Sequence, residues 1–170
     1  MLRLNLPDGR AVYFARPSTS DPYVPAAPLD FHGQLVQNID NSYTLTLRDG
    51  HVHQFSASGK LLSLTDPNNN SVSLTYDGSG NPVTITDASG RTVTLTYDGN
   101  GAIGSMSDST GTIATYTHSF WGRLTGVTYP DGSQFSFTDA FNGSSFLVTS
   151  VTVHWAMCLS RTLTTRRGAP

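Results

Sequence analysis

Apolar and polar residues alternate one by one through the middle of the chain. Val72, Leu74 and Tyr76 interleave with Ser73 and Thr75, Val93, Leu95 and Tyr97 with Thr94 and Thr96, and Val83 and Ile85 with Thr84 and Thr86. A period of two predicts strands with one apolar face and one hydroxyl-rich face. Between them lie Asp77-Gly78-Ser79-Gly80-Asn81, Asp87-Ala88-Ser89-Gly90, Asp98-Gly99-Asn100-Gly101 and Asp108-Ser109-Thr110-Gly111. These are turn sequences, with Gly supplying positive φ and Asp or Asn capping through its side chain.

The pattern recurs every 21 residues, linking Gly59, Gly80, Gly101, Gly122 and Gly143. The same step joins Asp66, Asp87 and Asp108, and joins Gly90, Gly111 and Gly132. Leu64, Ile85, Met106, Val127 and Val148 form an apolar register, and Phe55, Tyr76 and Tyr97 an aromatic one. Each unit therefore reads as strand, tight turn, strand, tight turn. Stacked units make an all-β antiparallel meander, in which the aromatic ring fills the buried face and each repeat buries its apolar side with its neighbours' help.

The ends depart from this rhythm. Residues 1–48 hold two strand candidates, Ala11–Phe14 and Tyr43–Leu47, around a loop with Pro17, Pro22, Pro25 and Pro28. Residues 1–48 thus stand apart from residues 49–150, which read as the array, and residues 151–170 read as an aberrant tail. In that tail both period and composition are lost. One explanation is a frameshift: read one base earlier, His154-Trp155 must encode Leu, Trp155-Ala156 Gly and Met157-Cys158 Val. A sequencing error would read the same way, and an ordinary divergent C-terminus is the alternative; a pseudogene product is a further reading that follows from the tail.

Composition narrows the functional classes. The chain has no glutamate, one lysine (Lys60) and a net charge of −2, with pI near 6.1. No basic stripe is available for nucleic acid. Cys158 stands alone, so no internal disulfide framework exists. The start, Leu2-Arg3-Leu4-Asn5-Leu6-Pro7, breaks too early for a secretory h-region, and no apolar run reaches membrane-spanning length.

Tyr76-Asp77-Gly78-Ser79-Gly80 followed by Asp87 and Gly90, and Tyr97-Asp98-Gly99-Asn100-Gly101 followed by Asp108 and Gly111, resemble the YD repeat of Rhs proteins, toxin-complex components and teneurins. The resemblance spans roughly Leu29–Val151 and is closest over Asp49–Gly132. His118 and Ser119, then Asp139 and Ala140, replace Tyr-Asp in the later units. By resemblance residues 1–48 are lead-in strands, and the fold is a curled antiparallel sheet, part of a larger β-shell. Family members use such shells to enclose a toxic C-terminal domain, or in teneurins for adhesion. The resemblance therefore implies a structural role with no catalytic residue, cofactor or metal, and a parent protein that is secreted or at the cell surface. Partners would be the rest of the parent, its enclosed C-terminal domain, and a surface glycan or receptor.

Several segments resemble sites of other chemistry. Gly99-Asn100-Gly101-Ala102-Ile103-Gly104 matches GxGxxG but joins two predicted strands, where a dinucleotide site needs a helix. His51 and His53 share a strand face at metal-ligand spacing, yet align with the inward residues Val72 and Leu74. Asp66-Pro67-Asn68-Asn69-Asn70 begins like a calcium loop, but a chain without Glu cannot supply the closing ligand. Asp87 and Asp108 sit in Asp-x-x-Gly segments that resemble aspartic-protease loops, but recur as periodic turn acids. Asn69-Asn70-Ser71 and Asn142-Gly143-Ser144 are glycosylation sequons by pattern. The alternative role is an adhesion or carbohydrate-binding surface using Trp121, Tyr129 and Phe141. An open sheet with one apolar face also predicts marginal stability or self-association for the isolated chain.

Overall fold

The structure is a computed structural model that describes residues 1–6, 8–18, 21–28, 30–141, 146–154 and 160–164. These residues are all-β and antiparallel. The chain divides into two compact units, Met1–Arg91 and Thr92–Pro170.

The first unit begins with β1 (Leu2–Asn5), β2 (Ala11–Ala15) and β3 (Val24–Ala27), a small sheet in the order β1-β2-β3. A meander follows: β4 (Gly33–Gln37), β5 (Tyr43–Leu47), β6 (Val52–Phe55), β7 (Leu61–Thr65), β8 (Ser71–Tyr76) and β9 (Pro82–Thr86), each paired with the next. The Pro-rich loop of the sequence thus contains a strand. Pro25 is tolerated in β3 because that strand is the sheet's edge, where a missing N–H breaks no ladder.

The small sheet lies on the apolar face of the meander's first strands. Tyr23 N donates to Leu35 O at 2.9 Å and ties the two together at one corner. Val12 and Phe14 from β2 and Leu35 and Leu45 from β4 and β5 form a fully buried cluster. Leu4, Tyr43, Leu47 and Phe55 pack around it, and Phe14 meets Phe31 edge-on at 5.8 Å. Burial of each such side chain contributes about 1.5–3 kcal/mol.

The register carries one apolar row from strand to strand: Leu35 opposite Leu45, then His53, Leu64 and Val72. Beyond the small sheet this row is only half-buried, as are Leu74, Tyr76 and Ile85. The other face is a ladder of hydroxyls. Thr75 and Thr84 share a hydrogen bond of 2.5 Å across β8–β9.

The second unit continues in kind: β10 (Thr92–Tyr97), β11 (Ile103–Asp108), β12 (Gly111–His118), β13 (Leu124–Thr128), β14 (Gln134–Phe141), β15 (Phe146–His154) and β16 (Ser160–Thr164), each antiparallel to the next. Thr96 bonds Ser105 at 2.6 Å and Thr138 bonds Ser150 at 2.6 Å, repeating the hydroxyl ladder. β15 passes through position 151 and β16 lies wholly beyond it, so paired backbone extends into the stretch where the repeat sequence fades.

Candidate functional site

The repeated chemistry lies at the turns. Residues 66–70 show the plan: Asp66 N donates to Asn70 O at 2.9 Å, and Asn69 N donates to Asp66 O at 3.0 Å. This is a three-residue hairpin loop, a type I turn closed by a residue in the left-handed region. That residue is Gly80 in the next turn, at φ 93°, and Asn69 here, at φ 64°. Gly59, Gly90, Gly101, Gly122 and Gly132 hold the same place with φ between 74° and 85°. Gly143 lies outside the described residues.

Such a loop leaves one N–H over. The left-handed residue takes the carbonyl that the closing residue would otherwise use, so the closing N–H needs another acceptor. Side-chain oxygens supply it from two positions. Asp66, Asp77, Asp87 and Asp98 open their turns and accept from the N–H of Asn70, Asn81, Arg91 and Ala102 at 2.8–3.0 Å. Ser56 and Ser119 do the same for Lys60 and Arg123. Elsewhere the acid sits two residues before the closing N–H: Asp8 for Arg10, Asp40 for Ser42, Asp49 for His51 and Asp131 for Ser133. The sequence reading found the first position and missed the second, whose signal is an Asp directly before the left-handed Gly or Asn.

These bonds stabilise the ionised acid. Backbone N–H donation from Asn81 and Ala102 holds the carboxyls of Asp77 and Asp98 below the ordinary range. For Asp66, Asp87 and Asp131 the largest cause is the side chain of Asn70, Arg91 and Ser133 respectively.

One turn departs from the plan. Asp108 pairs directly with Gly111, leaving a two-residue loop, and the register shifts between Met106 and Ser107. Gly111 accordingly has φ 130°. Asp108 still accepts from Thr110 N at 2.7 Å and Thr110 Oγ1 at 2.6 Å.

Adjacent turns on one edge touch through the aromatic register. The Tyr76 hydroxyl donates to Leu61 O at 2.7 Å, and Lys60 Nζ lies 5.1 Å over the Tyr76 ring, a cation–π contact. Three periods later the same two places hold Arg123 and Asp139, which form an ion pair. His118, at the aromatic position one period before Asp139, has Nδ1 3.3 Å from Asp98 Oδ2. The residues that replace Tyr, His118 and Asp139, are therefore polar and each faces a polar partner, Asp98 and Arg123. Tyr76 and Tyr97 are half-buried.

The GxGxxG segment occupies the Asp98–Ala102 turn between β10 and β11. His53 faces Leu45 and Leu64, stands 6.5 Å from the Phe55 ring, and has its pKa lowered by burial. His51 turns instead to Asp49, Nδ1 to Oδ1 at 3.1 Å. Asp66 uses its oxygens within its own turn, on Asn68 N, Asn70 N and Asn70 Nδ2. Asp87 binds Arg91 and Asp108 binds Thr110. Asn142 lies outside the described residues. Trp121 is 74% exposed and Phe120 86%, stacked edge-to-face at 5.3 Å on the tip of the β12–β13 turn. Tyr129 and Phe141 are also exposed, Tyr129 against Phe135 at 6.1 Å. No helix of the described residues is long and apolar enough to cross a membrane.

A comparison with curated protein sequences gives no match. The RHS Repeat family model matches residues 55–92 and again residues 76–113. The fold is similar to that of crystal structures titled TcdB2-TccC3-TEV and TcdB2-TccC3. The first covers 91% of this chain at 14% identity with a TM-score of 0.55. The second covers 78% at 14% identity with a TM-score of 0.52. A TcdB2-TccC3-Cdc42 structure gives the same 0.52. At this identity the likeness is one of fold, and the chain spans only 8–10% of the length of those structures. The overlapping repeat matches begin 21 residues apart, on the period that sets the turns, so residues 55–113 carry RHS repeats within a fold similar to that of those structures.

Proposed function

We propose that the chain is a wall segment of a β-shell, residues 49–150 being the array proper, and that the complete protein encloses a C-terminal toxin domain not present in these residues. The observation that carries this reading is the half-covered apolar face. The small β1–β3 sheet buries Leu35 and Leu45, whereas Leu64, Val72, Leu74 and Ile85 further along stay half-buried. A free-standing domain would cover that face; a wall segment leaves it for neighbouring wall or contents. The role is architectural and non-catalytic, with Phe55, Tyr76, Tyr97 and the turn acids as packing and turn-forming residues. The working site would be outside the cell or at its surface, with the rest of the parent as partner.

Limited proteolysis of the parent protein tests the reading. With residues 49–150 present, the C-terminal domain should resist cleavage; with them deleted, it should be cut at least tenfold faster. Equal cleavage in both forms would refute containment.

A second reading, surface adhesion to a glycan, is favoured by Phe120 and Trp121 standing exposed as an aromatic pair between the opening and left-handed residues, where the other hairpin turns of the described residues carry no aromatic side chain. Glycan titration followed by Trp fluorescence tests it, with Trp121→Ala expected to abolish any saturable change. A response that survives this substitution would count against the turn as the binding element.

A further inference from the structure

The small sheet ends on β1, which has β2 on one side and, among the described residues, no strand on the other. The hairpin's own bonding fixes which groups face outward. Leu6 N donates to Arg10 O at 2.8 Å, so these two form a hydrogen-bonded pair. Bonding alternates along an antiparallel ladder. Leu4 with Val12 and Leu2 with Phe14 are therefore bonded pairs, and the peptide groups of Arg3 and Asn5 point to the open edge.

A cleft of ≈ 240 Å³ opens beneath that edge, between Leu2, Leu4 and Phe14 of the small sheet and Tyr43, Phe55 and Leu61 of the meander. It continues the packed layer in which Val12 and Phe14 meet Leu35 and Leu45. Past it the half-buried row runs on through Leu64 and Val72. Side chains alternate as required: Leu2, Leu4 and Leu6 turn inward, while Arg3 and Asn5 are exposed. Among the described residues Arg3 has no carboxylate partner.

We infer that β1 is an acceptor edge for one more strand, an extended protein segment outside these 170 residues that pairs with the Arg3 and Asn5 backbone, lowers alternate apolar side chains into the cleft and sets an acidic residue opposite Arg3. The β1 edge of a second copy is a poorer occupant, because Leu2-Arg3-Leu4-Asn5 offers no acid. The inference concerns an edge of the cover sheet and holds whether or not the parent encloses a toxin.

The test uses the full chain and a synthetic peptide, acetyl-Thr-Val-Asp-Val-Thr-Val-Thr-amide, followed by binding titration and amide hydrogen exchange. Saturable binding should slow exchange at Arg3 and Asn5 at least tenfold. Asn5→Pro removes an outward N–H without touching the β1–β2 bonds, so it should weaken binding at least tenfold and leave thermal unfolding unchanged. Arg3→Glu should reverse the preference, favouring the same peptide with Lys in place of Asp, and decides the matter should Asn5→Pro fail to fold. Absence of saturable binding, binding insensitive to both substitutions, or binding without protection at Arg3 and Asn5 would overturn the inference. So would a free chain that sediments as a dimer with those two amides already protected, which would assign the edge to a second copy.

Discussion

Each three-residue hairpin loop frees one backbone N–H, and a side-chain oxygen takes it up in every such turn of the described residues. That requirement explains why acids recur at the turns of a chain otherwise poor in charge. Asp77→Ala should lower the melting temperature more than Asp77→Asn, because the amide oxygen of Asn can still accept from Ser79 and Asn81; equal losses would deny the cap its role. Gly80→Ala forces a side chain into φ 93° and brings its Cβ to 2.8 Å from Lys60 Nζ, a flexible end that can move. The backbone penalty should dominate at about 1–2 kcal/mol in urea unfolding, and no measurable loss would contradict the left-handed assignment. Among the turn acids, Asp8, Asp40, Asp49 and Asp131, one place before the left-handed residue, were missed. Asp66, Asp77, Asp87 and Asp98, which open their turns, were legible in the sequence because they recur at a fixed step. The Arg123–Asp139 and Asp98–His118 pairs were not, because their partners lie 16 and 20 residues apart and meet only when neighbouring turns stack.

The elements differ in how firmly they are held. β2, β4 and β5 share the fully buried cluster, so Phe14→Ala should destabilise the chain by about 3–5 kcal/mol. An effect below 1 kcal/mol in urea unfolding would mean that β1–β3 does not pack on the meander. Alternation made β8, β9 and β10 readable from sequence. β1 alternates too, Leu2 and Leu4 against Arg3 and Asn5, but like β3 it spans only four residues. β3 carries Pro25, and the pairing of both is set by the sheet they join. The hairpins also share one acid response. A carboxyl with a depressed folded pKa contributes stability that is full above the unfolded Asp value, about 3.9, and is lost as pH falls through the folded value. With Asp8, Asp40, Asp49, Asp66, Asp77, Asp87, Asp98, Asp108 and Asp131 all shifted down, stability should hold from neutral pH to about pH 4 and fall steeply below it. Urea midpoints that decline already between pH 7 and 5 would point to other groups.

For the molecule as a whole, tandem hairpins propagate an apolar face that no single repeat can cover, and β1–β3 covers only its start. Nothing local in the sequence marks what should lie over the remainder, since a half-buried Leu74 and a buried Leu45 occupy similar alternating strands. The most direct measurement is sedimentation velocity of the isolated chain across a hundredfold concentration range, combined with thermal unfolding of the same samples. A wall segment with its apolar face open should self-associate as concentration rises, or unfold broadly at low temperature. A monomer at every concentration with a single sharp transition would contradict the wall-segment reading and favour a self-sufficient β protein.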